Sequence, residues 1–186
     1  MDELLTGDII LVRGRRLRHK LARRMRGCVW NHVLLYYKHG YTMELEGRGL
    51  RQHAFFDRYA RRNIVILRLK AEEEESVRER VERFTWVMNG LWQSRVKFDW
   101  LAFLFEMVRL RQPRRAGQML CDDFVNCVYR AAGHEEIDVR DVMLHDYAEK
   151  QLNTRYGLTK VYDWRTQEPN VRVSVLPFTG GQGDLA

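Results

Sequence analysis

Cysteine is scarce in this chain: 186 residues contain only three, Cys28, Cys121 and Cys127. An odd number with no spacing pattern argues against a disulfide framework and favours a reducing compartment. There is no Cys-x-x-Cys pair and no His-x-x-x-His spacing. A structural zinc motif is therefore missing, and no metal or other cofactor is expected. No apolar run reaches the length of a membrane span. The opening stretch, residues 1–12, lacks the basic n-region and small-residue cleavage site of a signal peptide, so a cytoplasmic or virus-associated setting is expected. Internal repeats and low-complexity segments are also absent.

A 45% hydrophobic content makes the chain globular rather than disordered. Its length fits one domain, taken as residues 1–179, with 180–186 as a loose tail. The formal net charge of +7 favours an anionic partner: nucleic acid, an acidic membrane or an acidic polymer.

The pattern of elements runs from strands to helices. Ile9–Val12 follows a Gly7-Asp8 turn and reads as a strand. Residues 13–26 carry eight Lys or Arg, while Leu17, Leu21, Met25 and Cys28 recur at helical spacing. Residues 15–28 thus form a basic amphipathic helix whose stripe packs on the sheet or lies on an anionic membrane surface. Val33–Tyr37, a Lys38-His39-Gly40 turn and Tyr41–Glu46 form a β-hairpin, with Arg48–Gln52 extending its second strand. Phe55–Tyr59 reads as one helical turn and Ile64–Leu69 as a strand. Glu72–Leu91 is a helix with Val77, Val81, Phe84 and Met88 inward. Phe98–Leu110 reads as a buried apolar helix, Leu120–Ala132 as a helix ended by Gly133, and Val139–Gln151 as a further helix. Trp86, Trp92 and Trp100 are expected in the core. The fold class is α+β, a small antiparallel sheet packed with helices.

Three residues carry possible chemistry. Cys121 opens the helix 120–132 on its inward face, with Phe124, Val125 and Val128. The positive end of the helix dipole favours a thiolate there, and unpaired backbone N–H groups can hold an oxyanion. Asp122 and Asp123 work against that charge, and a buried cysteine can equally be a small core residue. Cys28 and Cys127 read as structural. His32 begins a strand and shares a face with Leu34 and Tyr36; Tyr36 is a possible lining residue. Across the hairpin, Glu44 lies diagonal to His32 and Glu46 opposite it. Either carboxylate could fix the imidazole's tautomer and orientation.

The joint order of these segments resembles a known superfamily. Gly7-Asp8-Ile9-Ile10-Leu11 with the basic helix, Asn31-His32-Val33, Met43-Glu44-Leu45 with Gly49-Leu50-Arg51, Phe98-Asp99-Trp100, and Cys121-Asp122-Asp123-Phe124-Val125 running through Tyr129 to Gly133 are similar to the circularly permuted, papain-like branch of the NlpC/P60 superfamily. That branch includes YiiX-like and lecithin retinol acyltransferase-like proteins. The likeness covers roughly residues 6–145; Asp122 and Asp123 stand where the family commonly has Ser and Glu. It implies a cysteine hydrolase with Cys121 as nucleophile, His32 as base and Glu44 as third residue, Glu46 being the alternative. The substrates it implies are cell-wall peptides or lipid-linked acyl groups. A catalytically silent binding module of the same fold remains an alternative. So does a basic nucleic-acid-binding protein, although residues 13–26 and 58–68 lack a recognised motif and regular aromatic interleaving. Oligomeric state is not legible.

Overall fold

Period-two alternation broken by glycine-containing turns lays down strands that pair with their chain neighbours, and the longer helical repeats supply cover. In the computed structural model, the described residues are 4–14, 20, 23–24, 27–59, 62–70, 76–107 and 116–165. In chain order the elements are β1 (Ile9–Arg13), β2 (His32–Lys38), β3 (Tyr41–Glu46), β4 (Gly49–Ala54), α1 (Phe55–Tyr59), β5 (Asn63–Leu69) and α2 (Val77–Gln93). They continue with β6 (Lys97–Phe98), α3 (Trp100–Met107), β7 (Gln118–Met119), α4 (Cys121–Ala131), α5 (Val139–Leu144), α6 (Glu149–Tyr156) and β8 (Leu158–Asp163).

Six strands form one antiparallel sheet in the order β4-β3-β2-β1-β5-β8. One face carries Ile9, Leu11, Val33, Leu35, Met43 and Leu45, packed beneath Phe84 and Met88 of α2 and Phe124, Val125 and Val128 of α4. The other face gathers Ile10, Val12, Leu34 and Ile66 with Phe55 and Tyr59 of α1. Burying each such large side chain contributes about 1.5–3 kcal/mol, so α4 is held firmly against the sheet. The pairing of β6 with β7 is parallel and sets Phe98 beside Met119, immediately before Cys121. This is the α+β, antiparallel arrangement that the sequence pattern predicts.

The turn before β1 is tightly built. Asp8 accepts from the Leu5 N–H, and both its oxygens accept from Arg68 of β5 at 2.9 and 2.8 Å. Burial pushes the Asp8 carboxyl up despite the guanidinium beside it. Gly7 has φ of +95°, and a Cβ built there would meet Phe84 at 2.9 Å. Gly7→Ala is therefore expected to cost about 2–3 kcal/mol, combining left-handed backbone strain with overpacking. Denaturant unfolding measures it; a loss under about 0.5 kcal/mol, the level of a neutral surface change, would contradict the packing described.

Several sequence expectations need correction. Arg48–Gln52 does not extend β3. Gly47-Arg48 forms a two-residue turn, because Glu46 pairs with Gly49 and Gly49 takes φ of +96°, and the chain returns as β4. The inward stripe of α2 is Arg80, Phe84, Val87 and Met88, while Val77 is exposed. Ser76 caps α2 in a reciprocal box with Glu79. The apolar segment expected as a buried helix is helical from Trp100 to Met107, with Trp100 56% and Leu104 50% exposed. α2 and α4 already cover the sheet, and among the described side chains of α3 only Ala102 is buried. Trp86, Trp92 and Trp100 are all exposed rather than core. Val139–Gln151 is two helices, parted where His145 is extended. The amphipathic helix expected over 15–28 and the tail at 180–186 fall mostly or wholly outside the described residues. Among the described residues no helix is long and apolar enough to cross a membrane.

Candidate active site

Three elements deliver the site. His32 is the first residue of β2, at the end of the sheet. Alternation along β3 puts Met43 and Leu45 in the core and turns Thr42, Glu44 and Glu46 to the opposite face. Cys121 is the first residue of α4, where the helix's leading N–H groups have no intrahelical acceptor. Leu120 cannot cap through its side chain, and Asp123 compensates by accepting from the Leu120 N–H at 3.1 Å. That hydrogen bond commits one of the two neighbouring carboxylates to the helix start.

The His32 ring bridges these elements. It lines the same cavity as Cys121, whose electrostatic interaction favours the charged ring, and its Nε2 lies 2.8 Å from Glu44 Oε2. Nε2 is thereby occupied by the carboxylate. Leu35 pairs with Met43; carried one residue further, that register sets Glu44 against Leu34 and diagonal to His32. The carboxylate of Glu44 is fully buried, whereas the imidazole is 22% exposed. Tyr59 of α1 donates to the same Glu44 oxygen at 2.6 Å. Arg58 stands 3.6 Å from Oε1 of Glu44. A buried carboxylate requires such partners, because leaving it unpaired costs several kcal/mol, on the order of 3–5.

The protonation states follow from these contacts. Burial disfavours the charged imidazole, but the hydrogen bonds and charges of Cys121 and Glu44 outweigh it, and the His32 pKa rises to about 10. Burial likewise works against an ionised Glu44, yet His32, Tyr59 and Arg58 together hold its pKa below the ordinary value. Burial first, then the Glu44 charge, pushes the Tyr59 phenol far up, so Tyr59 stays a donor.

A pH dependence of stability follows. The folded His32 binds its proton more tightly than the unfolded chain does. Its stabilising contribution is complete below about pH 6.5 and fades as pH rises through about 10. Unfolding free energies for the wild type and His32→Gln should therefore converge on the alkaline side. Curves that run parallel from pH 6 to 10 would show that the proton is not held as described.

Cys121 and His32 line a cavity of about 370 Å³. Trp30, Phe98 and Phe103 give it apolar wall, and Arg58 and Arg62 give it positive charge. Trp100 ties α3 to its rim by donating from the indole to the Gly47 carbonyl at 3.1 Å. Cys28, expected on a structural helix stripe, lines this cavity too. Cys127 lies elsewhere, and burial raises its thiol pKa.

The structure thus brings together Cys121, His32 and Glu44. Glu46 does not reach the imidazole and pairs instead with Arg58. Tyr36 does not line this cavity: it packs in the same apolar cluster as Tyr59 but away from the opening, and its hydroxyl accepts from the Gly40 N–H at 2.9 Å. The tyrosine at the site is Tyr59, which sequence reasoning left in an unassigned helical turn. A buried carboxylate in need of donors was the signal that could have prompted a search for it.

No protein-family model matches the chain, and no curated protein matches it. Among solved structures, the crystal structure of the metalloprotein yiiX from Escherichia coli O157:H7 is similar, with 17% identity over 88% of this chain and 91% of that one and a TM-score of 0.42. At that score the likeness carries no argument about chemistry, which rests on the geometry above.

Proposed function

We propose that this protein is a cysteine hydrolase of the acyl-transfer type, in the manner of the permuted papain-like enzymes its sequence resembles. The observation that carries the reading is the pair His32–Glu44, joined at 2.8 Å with its carboxylate fully buried, sharing a cavity with the Cys121 thiol at a helix N-terminus. Nucleophile, base and orienting carboxylate stand in the order such chemistry needs.

The Cys121 sulfur attacks a substrate carbonyl, forming the C–S bond and placing the carbonyl electrons on oxygen. The N–H groups that open α4 receive that oxyanion. As the tetrahedral species collapses, the leaving group departs with the proton held by His32. Water then attacks the thioester; His32 takes the water's proton, the C–S bond breaks with its electrons on sulfur, and the acid departs, restoring the thiolate beside a protonated His32. Glu44, itself positioned by Tyr59, keeps the ring aligned through both halves. Peptide amides and lipid-linked acyl esters are the substrate classes the resemblance implies. The aromatic wall beside Arg58 and Arg62 suits an acyl group attached to an anionic portion.

Alkylation kinetics test this reading. With limiting iodoacetamide and peptide mass spectrometry, Cys121 is expected to react at least about tenfold faster than Cys127, since thiolate character governs the rate. His32→Ala should remove that advantage. Equal, slow reaction at Cys121 and Cys127 in the wild type would favour a silent binding module of the same fold.

A further inference from the structure

On the other oxygen of the carboxylate that meets His32, two buried polar atoms face one another without a hydrogen-bond partner: Glu44 Oε1 and His53 Nε2. They lie 3.7 Å apart, and Oε2 of Glu46 lies 3.6 Å from the same His53 nitrogen. All three ligand-type atoms fall within 4.8 Å of one another. Ligands bound at about 2.0–2.1 Å around a tetrahedral zinc ion are separated by about 3.4 Å, close to both distances from the His53 nitrogen, and the two carboxylates would draw together around the ion. From these positions we infer that Glu44, Glu46 and His53 form a binding site for a divalent transition-metal cation such as zinc, with a fourth position open.

The hairpin builds this site. Thr42 pairs with His53 and Glu44 with Arg51, so His53 on β4 sits diagonal to Glu44 on β3, on the same face. β4 is the edge strand, and His53 and Glu46 are each partly exposed, which provides an entry path. The mixed carboxylate and imidazole set suits zinc better than magnesium or calcium, which take oxygen ligands. Arg58 is the competing cation. It pairs with Glu46 through Oε1, leaving Oε2 for the metal, but it also stands 3.6 Å from Glu44 Oε1. No metal motif was legible in the sequence because the ligands come from two neighbouring strands and only Glu44-x-Glu46 is local.

Occupancy would draw charge from the carboxylate that holds His32, so zinc should slow turnover. This coupling rests on the proposed hydrolase reading; the binding itself does not.

Calorimetric titration of the full chain with zinc chloride, in a Cys121→Ala background that removes the active-site thiol, is expected to show one saturable site. Cobalt substituted there should give a d–d spectrum without a thiolate charge-transfer band. His53→Ala and, separately, Glu46→Gln should each weaken zinc binding by about tenfold or more, and Arg58→Gln should tighten it severalfold. Absence of saturable binding, a thiolate band, or affinity unchanged from the parent protein in both ligand variants would overturn the assignment. Normal zinc binding in a protein that fails the alkylation test would leave the metal site standing and remove only its link to turnover.

Discussion

Cys121→Ala is expected to lower hydrolysis of any accepted ester or amide by about 10³-fold or more while the protein stays folded. In the proposed mechanism the sulfur forms the covalent bond, so without it His32 has no nucleophile to serve. Acyl-enzyme trapped by acid quench and seen by mass spectrometry should disappear in the variant. Binding of a non-hydrolysable substrate analogue should be nearly unchanged, because the cavity walls are intact. Cys121 is small and already tightly buried. Its truncation should cost about 1 kcal/mol, within the common range for single substitutions, so lost activity will not reflect unfolding. Cys121→Ser should also be poor, since a hydroxyl gives up its proton far less readily than a thiol. Turnover that survives in Cys121→Ala would end the hydrolase reading.

Glu44 supports the second large effect, which separates stability from catalysis. Glu44→Ala leaves the Tyr59 hydroxyl, the His32 ring and the Arg58 guanidinium without their shared acceptor in a buried setting. Removing one partner from such a group costs about 3–5 kcal/mol. Glu44→Gln keeps the shape and an oxygen to accept from His32 and Tyr59, so it should lose less stability. It removes the charge that holds the imidazolium, and kcat/KM should fall by about 10²–10⁴-fold. Glu46 provides the contrast. It is partly exposed and pairs with Arg58, so Glu46→Gln should cost less than about 1 kcal/mol and leave kcat within a few-fold. Denaturant unfolding and steady-state kinetics on the three variants decide the matter. If Glu46→Gln matched Glu44→Gln in lost activity, Glu44 would not be the orienting carboxylate.

Reading outward from single elements shows what was accessible early. The stripe Cys121, Phe124, Val125 and Val128 predicts both a helix and its inward face, and α4 buries all four. The Lys38-His39-Gly40 turn between two alternating runs predicts the β2–β3 hairpin, and with it the nearness of Glu44 to His32. α3 shows where such reasoning stops: its apolar composition says that it can be buried, but cover from α2 and α4 leaves Trp100 and Leu104 at the surface. The tryptophans of α2 follow the same rule. Tyr59 and Arg58 sit in a five-residue helix, too short to show a period, and their role depends on a carboxylate on another element.

Taken alone, the sequence determined much that is local: the β1, β2, β3 and β5 segments, the helix α4 with its inward face, and the turn between β2 and β3. These depend on side-chain spacing and backbone capacity within a few residues. Tertiary structure decided which distant groups meet: the Cys121 sulfur with the His32 ring, Tyr59 with Glu44, and Glu46 with Arg58 rather than with the imidazole. Those meetings depend on strand register and on how elements compete for a limited apolar face, and neither is encoded at any single position.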